Sequence, residues 1–162
     1  MDECRGSKEW TALSMGVPSW NNWFHQKIRL KQEVMHKMEA YWSSELKVLK
    51  ILFILGDYAR GSPFHAHGGL TFTLMDSFGG WSSFLYTNKL CMTKSAEIRY
   101  KAPIFPFRLY CLETHLVSLE GRTCIIRVDI RDTNGKLCMD GTFDFRFRNT
   151  GRIWDDVKRS KL

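Results

Sequence analysis

The stretch His65-Ala66-His67-Gly68-Gly69-Leu70-Thr71-Phe72-Thr73-Leu74-Met75-Asp76-Ser77-Phe78-Gly79-Gly80-Trp81-Ser82-Ser83-Phe84-Leu85-Tyr86 decides the architecture. Leu74, Phe78, Trp81 and Leu85 recur at helical spacing, and Leu70, Met75 and Phe84 widen the apolar face. Nearly every other position from 67 to about 86 is Gly, Ser or Thr. A helix that is apolar or small all round is a buried helix. Gly79 and Gly80 each cost a helix interior about 1 kcal/mol relative to Ala. That cost is tolerable where the backbone must approach another surface closely. Asp76 is the only charged side chain between Gly68 and Thr87.

Reading outward, residues 33–42 and 47–55 pair as a hairpin around Ser43-Ser44-Glu45. The second arm, from Val48 to Leu55, is too apolar for a half-exposed strand and is expected to be mostly buried. Gly56 to Pro63 reads as a loop. Four strands follow the helix. Residues 92–101 set Met92, Ala96, Ile98 and Tyr100 against a polar side that includes Thr93, and end at Pro103 and Pro106. Residues 108–118 turn at Glu120-Gly121. The third strand points Cys124, Ile126, Val128 and Ile130 one way, and Asn134-Gly135 marks a hairpin. The fourth alternates Phe143, Phe145 and Phe147 with polar residues. The order is hairpin, one long buried helix, then an antiparallel meander: an α+β architecture of one curved sheet on one helix. Residues 33–150 form this domain. Residues 1–32 read as a partly helical extension carrying Trp10, Trp20, Trp23 and Phe24, with a helix over 21–31, and 151–162 as a C-terminal tail.

Composition narrows the class. The 162 residues are 44% hydrophobic and 14% aromatic, as in a globular domain. No run approaches the roughly 20 apolar residues of a membrane helix. The N-terminus lacks a secretory core, and Asp2, Glu3 and Glu9 argue against a mitochondrial presequence. Five widely spaced cysteines point to reduced thiols. His65 and His67 have no ligand partners at metal spacing, so no metal site is expected. The net charge of +7 favours anionic ligands, but the cations are spread along the chain and no nucleic-acid motif accompanies them.

The chemistry concentrates where the helix begins. Backbone N–H groups of its first turn are unpaired donors, and the helix dipole favours negative charge there. Gly68 and Gly69 add no Cβ, so a reacting carbonyl can approach. This equipment suits an oxyanion. Asp76, a carboxylate inside a buried helix, must neutralise or find partners. It is a candidate general base or nucleophile.

His67-Gly68-Gly69 with Asp76 nine residues after the histidine resembles the signature of hotdog-fold acyl-CoA thioesterases. These include the 4-hydroxybenzoyl-CoA and phenylacetyl-CoA-pathway thioesterases and the animal thioesterase superfamily members that act on fatty acyl-CoA. The run Met92-Thr93 through Tyr100-Lys101-Ala102-Pro103 is similar to their next strand, and Glu120-Gly121-Arg122 to the turn beyond it. The similarity spans roughly residues 45 to 148. It implies a hotdog fold and hydrolysis of a fatty or related acyl-CoA, with coenzyme A as part of the substrate and no separate cofactor. By position, Asp76 matches the catalytic carboxylate, Gly68 the oxyanion donor with His67 beside it, and Thr93 a hydroxyl that orients water or the carboxylate. There are two departures. Gly61 stands where some relatives have Asn, and Thr93 falls on the polar side of its strand, away from the helix, unless a local bulge intervenes.

Spacing adds an independent constraint. Eight residues of helix separate Gly68 from Asp76, about 12 Å at 1.5 Å per residue. A thioester carbonyl must lie about 3 Å from both donor and base. Two antiparallel helices across a two-fold axis meet that condition, so a homodimer or a dimer of dimers is expected. Gly69, Lys101 and Arg122 are the candidate substrate contacts, with Lys94, Arg99 and Arg108 near the same cleft. Two other readings stay open: a hotdog enoyl-CoA hydratase, which needs a paired Asp and His, and a non-catalytic acyl-CoA-binding or partner-binding protein. The terminal Ser160-Lys161-Leu162 reads as the address bound by the peroxisomal import receptor, so a peroxisomal location is expected, and otherwise a cytoplasmic one.

Overall fold

The computed structural model describes residues 10–13 and 33–147. A seven-stranded antiparallel sheet is built from β1 (Thr11–Leu13), β2 (Met35–Ser43), β3 (Val48–Leu55), β4 (Cys91–Tyr100), β5 (Leu109–Glu120), β6 (Thr123–Asp132) and β7 (Leu137–Phe147). Their order is β1-β2-β3-β5-β6-β7-β4. One helix, α1 (Gly68–Thr87), packs on the sheet's inner face. This is the hotdog architecture.

The two-residue period of the strands produces the core. Leu49, Ile51, Phe53 and Leu55 of β3 point inward and are all but fully buried. Cys124, Ile126, Val128 and Ile130 of β6, with Phe143 and Phe145 of β7, continue the same layer. The outer positions of β3, Lys50 among them, are half-buried, so that strand alternates more than its composition implies. The expected hairpin and meander are in place, with Asp132 capping the Asn134-Gly135 turn by accepting from the amides of Asn134 and Lys136.

The contact face of α1 differs from the expected seam. Thr71, Leu74, Met75, Phe78, Gly79, Ser82 and Ser83 are buried, whereas Trp81 and Leu85 lie half-buried on the flank. Small residues win the central positions because they let helix and sheet approach. A Cβ on Gly79 would come within 3.1 Å of the Phe145 ring. The far side of α1, carrying Phe72, Thr73, Asp76 and Ser77, is only half-buried, so the helix is not enclosed by its own chain.

Two strands depart from the sequence reading. Thr11–Leu13, from the stretch read as a partly helical extension, pairs with Trp42, Tyr41 and Ala40 and adds a strand to one edge. The helix expected over 21–31, the last residues of the expected domain (148–150) and the tail over 151–162 lie outside the described residues. At the other edge, β4 shifts register between Thr93 and Ser95. Thr93 faces Phe145 on the inner side, whereas Met92 faces Arg146 on the outer side, exposed. Met92 therefore does not share the inward face of Ala96, Ile98 and Tyr100. Because an extra residue exchanges the two faces of a strand, the bulge corrects the expected polar-side placement of Thr93. No described helix is long and apolar enough to cross a membrane.

Candidate active site

The bulge brings two of the expected residues together. Thr93 Oγ1 donates to Asp76 Oδ1 across 2.6 Å, joining the middle of α1 to edge strand β4. Asp76 is half-buried and has no ion-pair partner among the described residues. A hydroxyl bound to one carboxylate oxygen fixes its orientation and leaves the other oxygen free to take a proton.

The start of α1 is organised by His67. Its backbone N–H donates to the Ala59 carbonyl, and that of Ala66 to Ile104, which staples the approaching chain on both sides. His67 is the N-cap: its Nδ1 accepts from the Gly69 amide at 3.0 Å, and its carbonyl accepts from Leu70 and Thr71. The Gly68 N–H is left without an acceptor among the described residues. Gly69, expected as a substrate contact, thus has its own amide engaged by the histidine. With Nδ1 accepting, the proton of a neutral His67 ring sits on Nε2.

Gly61 explains one departure from the family pattern. A Cβ there would fall 2.7–2.9 Å from His67 atoms, so the space near the cap is already filled by the histidine. Tyr100 was not singled out as a site residue, although its Tyr-x-x-Pro context was. Its hydroxyl donates to the Gly68 carbonyl at 3.0 Å, and its ring lies 3.2 Å from where a Gly68 Cβ would be. The ring thereby holds the first peptide of the helix in place. A depression of about 270 Å³ opens here, lined by Gly68, Thr71, Tyr100, Pro103 and Met139 among others.

The basic candidates separate. Lys101 pairs with Asp140 at 3.6 Å, Arg99 with the same carboxylate at 3.4 Å, and Lys94 with Asp144 at 3.1 Å. Arg122 lies in the β5–β6 turn and accepts from the Phe147 amide through its carbonyl. That is the end of the sheet next to the start of β4, away from Gly68 in the same protomer. Arg108 carries no ion pair and lies over the Phe105 ring at 4.8 Å. Asp76 and His67 form no pair with each other, since each is engaged with its own partner.

Burial pushes the thiols of Cys91, Cys124 and Cys138 above their ordinary range and disfavours the thiolate.

Residues 65–139 match the sequence profile of the Thioesterase superfamily. The rat (Rattus norvegicus) acyl-coenzyme A thioesterase THEM4 is 28% identical over 107 residues, covering 66% of this chain and 46% of that protein. The chain thus matches less than half the length of this curated relative. A crystallised thioesterase superfamily protein is 27% identical with a TM-score of 0.62, covering 67% of this chain and 53% of its own. A Streptococcus mutans UA159 protein bound to acetyl CoA superposes with a TM-score of 0.63 at 20% identity, over 69% of this chain and 89% of that one. Helix, sheet order and the His67-to-Asp76 motif agree with these likenesses: the fold is the hotdog, and residues 65–139 are similar to the Thioesterase superfamily.

Proposed function

We propose that this protein hydrolyses acyl-CoA thioesters, with a fatty or related acyl group, to free acid and CoA. The observation that carries the reading is the Thr93–Asp76 hydrogen bond, because it presents an oriented carboxylate on the half-open side of α1. The names of the relatives agree: THEM4 is an acyl-coenzyme A thioesterase, and the streptococcal protein holds acetyl CoA.

In the proposed reaction the thioester oxygen is held by the free Gly68 N–H at the positive end of α1. Asp76 removes a proton from water as the water oxygen bonds to the carbonyl carbon. When the tetrahedral intermediate collapses, the carbon–sulfur bond breaks and the thiolate of CoA receives that proton. A direct attack by Asp76 would pass instead through a mixed anhydride that water then cleaves. Thr93 holds the carboxylate in either case. Asp76 is engaged with a threonine rather than a histidine, and this disfavours hydratase chemistry.

Gly68 and Asp76 belong to two half-sites of a dimer. Their separation of about 12 Å along one helix excludes service to one carbonyl within a protomer. β4 supplies the means of assembly, since it is a ten-residue edge strand with most of its residues exposed. Its unpaired backbone groups are a template for a second copy. Two such edges joined antiparallel set the half-buried sides of both helices against each other. Peroxisomal delivery through Ser160, Lys161 and Leu162 belongs to the same proposal, supported by the motif and by the occurrence of acyl-CoA chemistry in that organelle.

The experiment is a CoA-release assay with acyl-CoAs of varied length and aromaticity. Thiol release that depends on Asp76 is expected, and its absence with every acyl group overturns the reading. For the address, N-terminal fluorescent fusions with and without residues 160–162 are compared by microscopy. Identical cytosolic distributions refute the address.

A further inference from the structure

Gly68 is where the site can lose its aim. A residue with no Cβ turns freely about its own backbone bonds, so the glycine that admits a carbonyl also lets its N–H swing away. Two peptides meet at its Cα. The first, between His67 and Gly68, carries the open N–H, and its carbonyl accepts from the Leu70 and Thr71 amides. The second, between Gly68 and Gly69, is gripped at both ends by side chains. Its N–H donates to His67 Nδ1 at 3.0 Å, and its carbonyl accepts from the Tyr100 hydroxyl at 3.0 Å. Thr71 Oγ1 reaches the same carbonyl at 2.9 Å from within the helix, so Tyr100 is the hydroxyl that comes from the sheet.

Packing does not account for Tyr100. It is 56% exposed, whereas Tyr110, which accepts from the Phe105 amide, is 2% exposed. A ring left mostly in water gains little from burial. What it gains here is the contact with Gly68, where a Cβ would stand 3.2–3.3 Å from Tyr100 ring atoms and hydroxyl. The anchor is also firm. Tyr100 pairs with Met139 of β7, and the next two amides, of Lys101 and Ala102, donate to the Cys138 carbonyl at 2.9 and 3.0 Å. β4 thus supplies a hydroxyl to each functional end of α1, Thr93 at Asp76 and Tyr100 at Gly68.

The bonds run in one direction. The Tyr100 O–H donates into a peptide whose own N–H donates onward to the imidazole. Aligned donors polarise one another, so each bond strengthens the next. With Nδ1 held as the acceptor, the proton of the neutral ring stays on Nε2.

We infer that Tyr100 is a positioning residue: by clamping the Gly68–Gly69 peptide against His67, it fixes both the direction of the Gly68 N–H and the tautomer of His67. The inference rests on the thioesterase reading for the reaction it serves, while the clamp itself can be observed without substrate.

The test compares the full chain with Tyr100→Phe, which keeps the ring and removes the hydroxyl, with His67→Ala, and with the double variant. Tyr100→Phe is expected to lower kcat for CoA release by roughly tenfold, the worth of one hydrogen bond, with KM and melting temperature unchanged. Because both residues act on one peptide, the double variant is expected to be no slower than His67→Ala alone. In NMR spectra without substrate, the Gly69 amide proton is expected to move upfield in Tyr100→Phe, and the His67 ring nitrogens to report a mixture of tautomers. Wild-type kcat in Tyr100→Phe, or losses that multiply in the double variant, overturns the inference. An unmoved Gly69 amide proton overturns it whatever the activity. If the wild type cleaves no acyl-CoA but the Gly69 and His67 signals shift as expected, the clamp stands and the thioesterase reading falls.

Discussion

The two halves of α1 use the same residue types to opposite ends. In the C-terminal half, Ser82 is fully buried and bonds Thr114 Oγ1 at 2.7 Å, while Thr114 also accepts from the Leu49 amide. Tyr86 reaches back to the Lys47 carbonyl, and Thr87 to Ser83. The Ser82 and Tyr86 bonds tie the helix to the sheet and to the turn before β3, and the Thr87 bond closes its last turn. In the N-terminal half, Gly68 keeps a free N–H and Asp76 a free oxygen, and the hydroxyls of Tyr100 and Thr93 hold those groups in position rather than closing them off. Ser83 Oγ is buried in the C-terminal half without a hydrogen-bond partner among the described residues, so the difference lies in what the engaged groups do: in one half they fasten the helix, in the other they hold a group that stays open.

Substitution at Asp76 breaks this comparison most sharply. Asp76→Ala is expected to lower turnover by about 10²–10⁴-fold, the usual cost of losing a general base, with an unchanged melting temperature. A folded variant with wild-type turnover would refute the assignment. Mixing it with Gly68→Val, inactive through its oxyanion end, is expected to restore part of the activity, because some mixed dimers contain one intact composite site. A monomer that is fully active in light scattering refutes the shared site.

Thr93→Ala is expected to reduce kcat by roughly tenfold, less than Asp76→Ala, because the carboxylate remains but loses its orienting hydrogen bond. At the other end of the helix, Thr114→Val is expected to move stability and spare catalysis. It strands the buried Ser82 hydroxyl, at a cost of about 1–3 kcal/mol read from urea denaturation. A variant of unchanged stability would show that the closed half is not closed by this bond.

The smallest effect expected is alkaline. Burial raises the pKa of the Cys91, Cys124 and Cys138 thiols above their ordinary value of 9.0 and that of Tyr86 above 10.0. The unfolded chain ionises first, so stability is full below pH 9.0 and declines as pH rises toward the folded values. Denaturation midpoints measured between neutral and alkaline pH are expected to fall, and to fall less in Cys124→Ala. A flat profile contradicts the burial of these groups.

The sequence made most of this frame legible because the inward rows of β3, β6 and β7 and the long uncharged helix are periodic signals that burial enforces. Asp76 stood out for the same reason, as one charge in an apolar setting. The features that escaped are set by pairing between distant segments. β1 is only Thr11–Leu13, too short for alternation to register, and exists through its pairing with β2. The fate of Lys101 depends on Asp140, a partner brought across from β7. Tyr100 acts on Gly68 only once the end of β4 lies over the start of the helix.

The bulge in β4 governs which element of the strand answers the carboxylate. In an unbroken alternation counted back from Ala96, the residue facing Asp76 would be Lys94. An ammonium there would pair with the carboxylate and lower its affinity for a proton, which makes it a weaker base. The extra residue sends Lys94 to the opposite surface, where it meets Asp144, and turns a hydroxyl toward Asp76 in its place. One residue of slack in an edge strand thus sets the choice between an ion-paired carboxylate and one held by a hydroxyl.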